Sequence, residues 1–241
     1  MAKPLPIPGR VNRESPSVLD IHEGRIASGI GMTGMPWIIA MLLGMFMLGG
    51  CAIGVTHQYD SVVPEIRTST GSKITVAAQD RRVYVLSRHK AETFVGVSRG
   101  GFGNPFDVTT ASGQPLTEDF AKAIERSLTR KNFAVTTVRL APDLAEPEAI
   151  KRLTLTAQKS ILVTIKEWKA DTYLNTRLLY DVTVKVLDGS GKIIGENSIA
   201  GTDNLGGRFV NPPEHARSAV PAAFRRKLEE LFSAPGIADN L

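Results

Sequence analysis

Cys51 is the single cysteine in 241 residues, and it stands directly behind the most hydrophobic run of the chain. One cysteine cannot close a disulfide within its own chain, and a structural zinc site needs several soft ligands. What is left to this thiol is its nucleophilicity. The other residues that could do chemistry are scattered. His22, His57, His89 and His215 have no second histidine or cysteine at ligand spacing, so no metal site is expected. No Gly-x-Ser-x-Gly elbow is present. The GSGK at residues 189 to 192 lacks the earlier glycine and the following Ser/Thr of a phosphate loop, since Val186 and Ile193 occupy those positions. A hairpin turn accounts for it. Glu118/Asp119 and Glu229/Glu230 lie on expected helix surfaces, where solvated carboxylates are the rule. No catalytic residue and no cofactor is expected.

The neighbours of Cys51 say how its thiol is used. Ile38 to Leu48, IIAMLLGMFML, is a run of eleven residues broken only by Gly44, and no charged side chain occurs between Ile26 and Thr56. A spanning helix needs ~20 such residues, whereas the apolar region of a signal peptide needs ~7–15. Arg10, Arg13 and Arg25 supply positive charge ahead of the run. Leu48-Gly49-Gly50-Cys51 follows it: an aliphatic residue, two small residues and cysteine, similar to the bacterial lipobox. Small residues let an extended backbone enter a peptidase, and the thiol accepts a diacylglyceryl group. Cys51 is thus the expected lipidation site, with cleavage between Gly50 and Cys51. Residues 1–50 are read as a signal peptide with a long leading segment rich in proline. The alternative is a signal anchor that stays uncleaved.

One loop has a composition suited to contact. SRGGFGNPF, residues 98 to 106, combines Gly100, Gly101 and Gly103 with Phe102 and Phe106. The glycines permit unusual backbone angles at a polar tip from which the rings can reach a partner. Phe102, Asn104 and Phe106 are therefore candidate partner-binding residues, with Trp168, at the end of a strand, as a fourth whose other reading is a residue at the rim of the core. The bland reading of this loop is a glycine-rich turn whose rings fold back on the sheet.

The elements that position these residues follow from periodicity. Residues 51–71 lack a sustained repeat and read as a flexible tether; residues 72–235 read as one periplasmic domain. KITVAAQD and RRVYVLSRH suggest strands, and TFVGVSRGG begins as one. Leu116, Phe120, Ile124 and Leu128 recur every four residues, a helix opened by Pro115 and stopped near Asn132. FAVTTVRL is strand-like, EPEAIKRLTLTAQ a second helix whose LTLT also suits a strand, and SILVTIKEWKA a strand. Two long strands flank the turn at Asp188 to Gly191, with Val182, Val184 and Val186 on one face and Asp181, Thr183 and Lys185 on the other. A last helix carries Val220, Phe224, Leu228 and Leu231 and is started by Pro212 and Pro213. The fold class expected is α+β, a largely antiparallel sheet with two to three helices packed on one face.

The net charge of +5 is spread along the chain without a basic stripe, so no nucleic-acid partner is expected. The LGGC motif, ITVAAQDRR, the unit LTEDFAKAIERSLTRKNFAV, the hairpin LLYDVTVKVLDGSGKIIGENSIAG and ARSAVPAAFRRKLEELF together resemble the YajG-type bacterial lipoproteins over residues 72 to 232. The long leading segment, the GGFGNPF loop and the double proline depart from that family. The resemblance implies an envelope lipoprotein with a small α/β domain and no assigned reaction, held on the membrane through Cys51. Ala52, where an Asp would retain a lipoprotein in the inner membrane, implies the outer membrane, facing the periplasm. Envelope proteins or the cell wall are the expected partners, and an exposed sheet edge would support a homo-oligomer. The alternative from another class is an envelope hydrolase with carboxylates far apart in sequence, recognisable by a pocket in which two of them converge.

Overall fold

A computed structural model describes residues 54–68, 71–155 and 157–241. The segment read as a signal peptide, together with Gly50 and Cys51, lies outside the described residues. Eight strands form one sheet: β1 Thr56–His57, β2 Lys73–Asp80, β3 Phe94–Arg99, β4 Pro105–Thr110, β5 Ala134–Thr137, β6 Lys159–Thr172, β7 Asn175–Asp188 and β8 Ile193–Gly207. Five helices accompany them among the described residues: α1 Val83–Leu86, α2 Leu116–Thr129, α3 Glu146–Thr154, α4 Pro212–Phe232 and α5 Pro235–Ala238.

The sheet is mixed and strongly curled, a half-barrel, and not the largely antiparallel sheet expected from the sequence. β6, β7 and β8 form an antiparallel meander. The other edge of β6 is shared: its first half pairs in parallel with β2, and its last residues pair in parallel with β3. β5 continues the sheet beyond β2 in parallel, β4 pairs antiparallel with β3, and β1 adds in parallel to β4. Alternation of side chains shows that a segment is a strand but carries no information about the direction of its neighbour. That direction follows from the connections, because parallel strands require a crossover. β5 and β6 run parallel on either side of β2, so the link between them must cross the sheet.

That link carries α3, and it corrects the second part of the expectation. The main core lies between one face of the sheet and helices α2 and α4; it takes Ile74, Val76 and Ala78 of β2, Ile161, Val163 and Ile165 of β6, and Val182, Val184 and Val186 of β7. The intervening residues Ala77, Leu162 and Leu187 point the opposite way and bury against Ala149 and Leu153 of α3. Helices therefore cover both faces. The side of β7 expected to be wet is partly roofed, with Lys185 ion-paired to Glu146 at the start of α3.

Two further segments differ from their sequence reading. RRVYVLSRH, read as a strand, holds the short helix α1. The stretch read as a tether has its described part built into the core: Tyr59 and Ile66 are fully buried, as is the imidazole of His57. Tyr59 stacks edge-on against Phe224 at 5.0 Å and Trp168 at 6.3 Å. An aperiodic segment with well-spaced large residues can fill gaps between helices without forming an element of its own.

Candidate interaction surface

Where β2 ends and β3 begins along the edge of β6, the ladder is interrupted and backbone carbonyls are left without strand partners. Arg82 fills that gap although it is a charged residue with no exposed surface. Its Nε and Nη2 donate to the two carboxylate oxygens of Asp80 at 2.8 and 2.6 Å. The same guanidinium donates to the carbonyls of Phe94, Trp168 and Glu92. A planar fork of five donors suits this task, which a lysine could not perform. Asp80 is equally buried, so the pair is a structural pin holding β2, β3 and β6 in one sheet.

Beyond this pin the strands run to a common end. β3 and β6 are parallel, with Ser98 opposite Thr172, so the β3–β4 turn and the β6–β7 turn emerge side by side. Arg99 clamps them with a two-pronged ion pair to Asp171 at 2.8 and 2.7 Å, which holds the Asp171 carboxyl below its usual range. Asn175 at the start of β7 faces Gly207 at the end of β8, so the β8–α4 link opens at the same place. A Cβ on Gly207 would lie 2.0 Å from the carbonyl oxygen of Leu174, a contact only glycine allows. The link turns through Asn211, whose φ of 56° is left-handed, and His215 Nε2 lies 3.0 Å from the carbonyl of Leu205.

These three connections present apolar side chains to solvent: Phe102, Tyr173, Leu174, Phe209 and Val210 are all exposed. Of the residues singled out in the sequence, Phe102 stands fully outward at the hairpin tip, beside Gly103 at φ +81°. Asn104 is exposed, and Phe106 is half-buried over Gly100. Trp168 does not belong to this surface. It is 1% exposed, donates from Nε1 to the Tyr59 hydroxyl at 3.2 Å, and meets Phe120 and Phe224 edge-on. Tyr173, Leu174, Phe209 and Val210 were not found by sequence reasoning. The hydrophobic pair Phe209-Val210 between Arg208 and Asn211-Pro212 is the signal in the sequence that could have found one of these loops.

Two of the grooves are open and carry charged side chains. A groove of about 610 Å³ is lined by Val85, Leu86, Lys90, Glu92 and Asp143, among others, and Glu92 there lies 3.9 Å from Arg139. A second, of about 580 Å³, holds Glu65, Glu229 and Glu230. Each of these three is already ion-paired, to Lys131, Arg225 and Lys227. No group of three or more His, Cys, Asp or Glu that could hold a metal occurs among the described residues, and no described helix is long and apolar enough to cross a membrane.

No model of a protein family matches the chain, and no curated protein does. Among solved structures it is similar to XCC0632 from Xanthomonas campestris, a DUF330 protein, with 12% identity over 74% of this chain and 92% of that one and a TM-score of 0.46. A PelC dodecamer from Paraburkholderia phytofirmans is 13% identical over 72% and 95% of the two chains, with a TM-score of 0.31. Lipoprotein GNA1162 from Neisseria meningitidis is 13% identical over 65% and 99%, with a TM-score of 0.25. These likenesses are distant, and none of the three carries the YajG name.

Proposed function

We propose that this chain is a non-enzymatic bacterial envelope lipoprotein of YajG-like type, anchored through an acylated Cys51 and acting as a binding or assembly module. The observation that carries the reading is the sequence Leu48-Gly49-Gly50-Cys51 behind an uncharged apolar run too short to span a bilayer. Acylation with two or more chains gives stable membrane residence, which a single chain does not. Ala52 supports sorting to the outer membrane, with the domain in the periplasm. The contact surface of the module is the loop end that displays Phe102 and Asn104, and the outer edge of β8 is, among the described strands, an unpaired edge suited to a second copy.

The test is metabolic labelling with palmitate, followed by intact mass measurement of the membrane-extracted chain. A labelled chain that begins at Cys51, and whose label is lost in Cys51→Ser, is the expected result. A chain that keeps residues ahead of Cys51 and carries no lipid would replace this reading with an uncleaved anchor.

A further inference from the structure

Five of the nine large apolar side chains exposed among the described residues gather on the three adjoining connections at one end of the sheet. Phe102 and Phe209 are 102% and 88% exposed, as open as side chains become, and Val210 is 76% exposed. They stand on turns clamped together by the Arg99–Asp171 pair and the Leu174–Gly207 approach, so presenting them to a partner costs little ordering entropy. An exposed Arg208 adjoins Phe209. Aromatic and aliphatic side chains on fixed tips beside a cation suit the headgroup boundary of a bilayer carrying anionic lipid.

The position of the N-terminal chain selects the occupant. β1 runs parallel to β4, with Thr56 opposite Thr109, so the chain ahead of Thr56 approaches from the side of Pro105 and the Phe102 tip. Cys51 precedes Thr56 by five residues, which reach at most ~18 Å. The distance along β4 from Thr109 back to Pro105 is roughly 13 Å at the usual strand rise. A lipid on Cys51 is thus within reach of this end. The other end, where Leu155 and Ile193 are exposed, lies beyond the length of β6, about 45 Å away at the same rise.

We infer that the Phe102, Tyr173–Leu174 and Phe209–Val210 tips form a membrane-docking surface, seated in the headgroup region of the bilayer that holds Cys51. The inference rests on the lipid-anchor reading and names the partner of the surface described there. The face is tested on the lipidated full chain in phosphatidylethanolamine and phosphatidylglycerol vesicles containing nitroxide-labelled lipid. Phe102→Cys, Phe209→Cys and Leu155→Cys each receive an environment-sensitive fluorophore, with acylated Cys51 unreactive to it. The expected result is a blue shift and several-fold quenching at positions 102 and 209 with none at 155. Equal quenching at all three positions, or none at any, overturns the inference. Crosslinking of copies through position 102 without lipid quenching assigns the face to a second copy and also overturns it. The mass of the same sample scores the anchor separately: acylated Cys51 without quenching removes only the docking surface, and unmodified Cys51, with quenching at positions 102 and 209 that persists when the labelling is repeated on a Cys51→Ser background, removes only the anchor.

Discussion

Two buried groups of opposite protonation behaviour sit near the packed N-terminal segment. His57 is buried with neither ring nitrogen partnered, and burial together with the nearby Arg217 lowers its pKa to about 4. Asp119, at the start of α2, accepts a hydrogen bond from Ser112 on Oδ2 and leaves Oδ1 unpartnered. Burial raises its pKa to about 6, with Asp60 and Glu118 adding to the shift and Ser112 and Lys122 opposing it. Between pH 4 and 6.5 unfolding lets His57 take up a proton, so its contribution to stability rises with pH. Between pH 3.8 and 6 unfolding releases the proton of Asp119, so its contribution falls with pH. The two nearly cancel in the native protein. Asp119→Asn is expected to steepen the rise of stability from pH 4 to 6, and His57→Asn to flatten or reverse it, as measured by urea unfolding across that range. The buried Asp80–Arg82 pair gives a larger effect. Asp80→Ala leaves a buried guanidinium without its counter-ion and should destabilise by about 3–5 kcal/mol. Replacing both residues by apolar ones should recover part of that loss. Neither group was legible in the sequence, because Asp-Arg-Arg reads as a solvated turn until the split of the sheet shows which carbonyls need donors.

At the scale of elements, the three longer helices and the meander were legible, whereas the short helices and the direction of the strand pairing were not. The stripe Leu116, Phe120, Ile124 and Leu128 appears in α2 as read, all four buried. The hairpin around Asp188 to Gly191 is present, with Asp188 Oδ1 accepting from the amides of Ser190 and Lys192. RRVYVL carries strand-forming residues yet makes α1, because the Arg82 pin and the hydrogen bond from the Tyr84 hydroxyl to Glu167 at 2.7 Å decide its path. Tertiary contacts override a weak local preference. The parallel join of β3 to β6 depends on Gly96, where a Cβ would come 2.2 Å from the carbonyl oxygen of Ala170. Gly96→Ala should therefore cost about 1–3 kcal/mol, read from a shift in the urea midpoint. The second face makes its own prediction. Leu153→Ala removes the buried anchor of α3 and should destabilise by about 2–5 kcal/mol, whereas a helix lying only on solvent would tolerate it.

For the molecule as a whole, the boundary between the N-terminal segment and the domain matters most, because under the proposed lipid anchor it sets how far the folded body stands from the membrane. Composition puts that boundary near residue 72, since nothing in AIGVTHQYDSVVPEIR repeats with the period of a helix or a strand. Packing puts it near Val55. The carbonyl of Val55 accepts from the amide of Thr109, that of His57 accepts from Ala111, and the amide of Ile66 donates to the Ser127 hydroxyl at 3.4 Å. Tyr59 closes the aromatic core against Phe224 and Trp168, so the segment contributes side chains that α2 and α4 cannot supply from their own faces. On the proposed lipid-anchor reading, only Ala52, Ile53 and Gly54 separate Cys51 from Val55, which would hold the domain close to the bilayer instead of on a long leash. Hydrogen exchange followed by mass spectrometry distinguishes the two cases. Peptides covering residues 55 to 67 should exchange slowly, opening together with α2 in the global unfolding event, and Tyr59→Ala should accelerate exchange in both. Exchange of residues 55 to 67 within seconds, with α2 still protected, would return the segment to a tether and remove the restriction on reach that brings the Phe102 end of the sheet to the membrane.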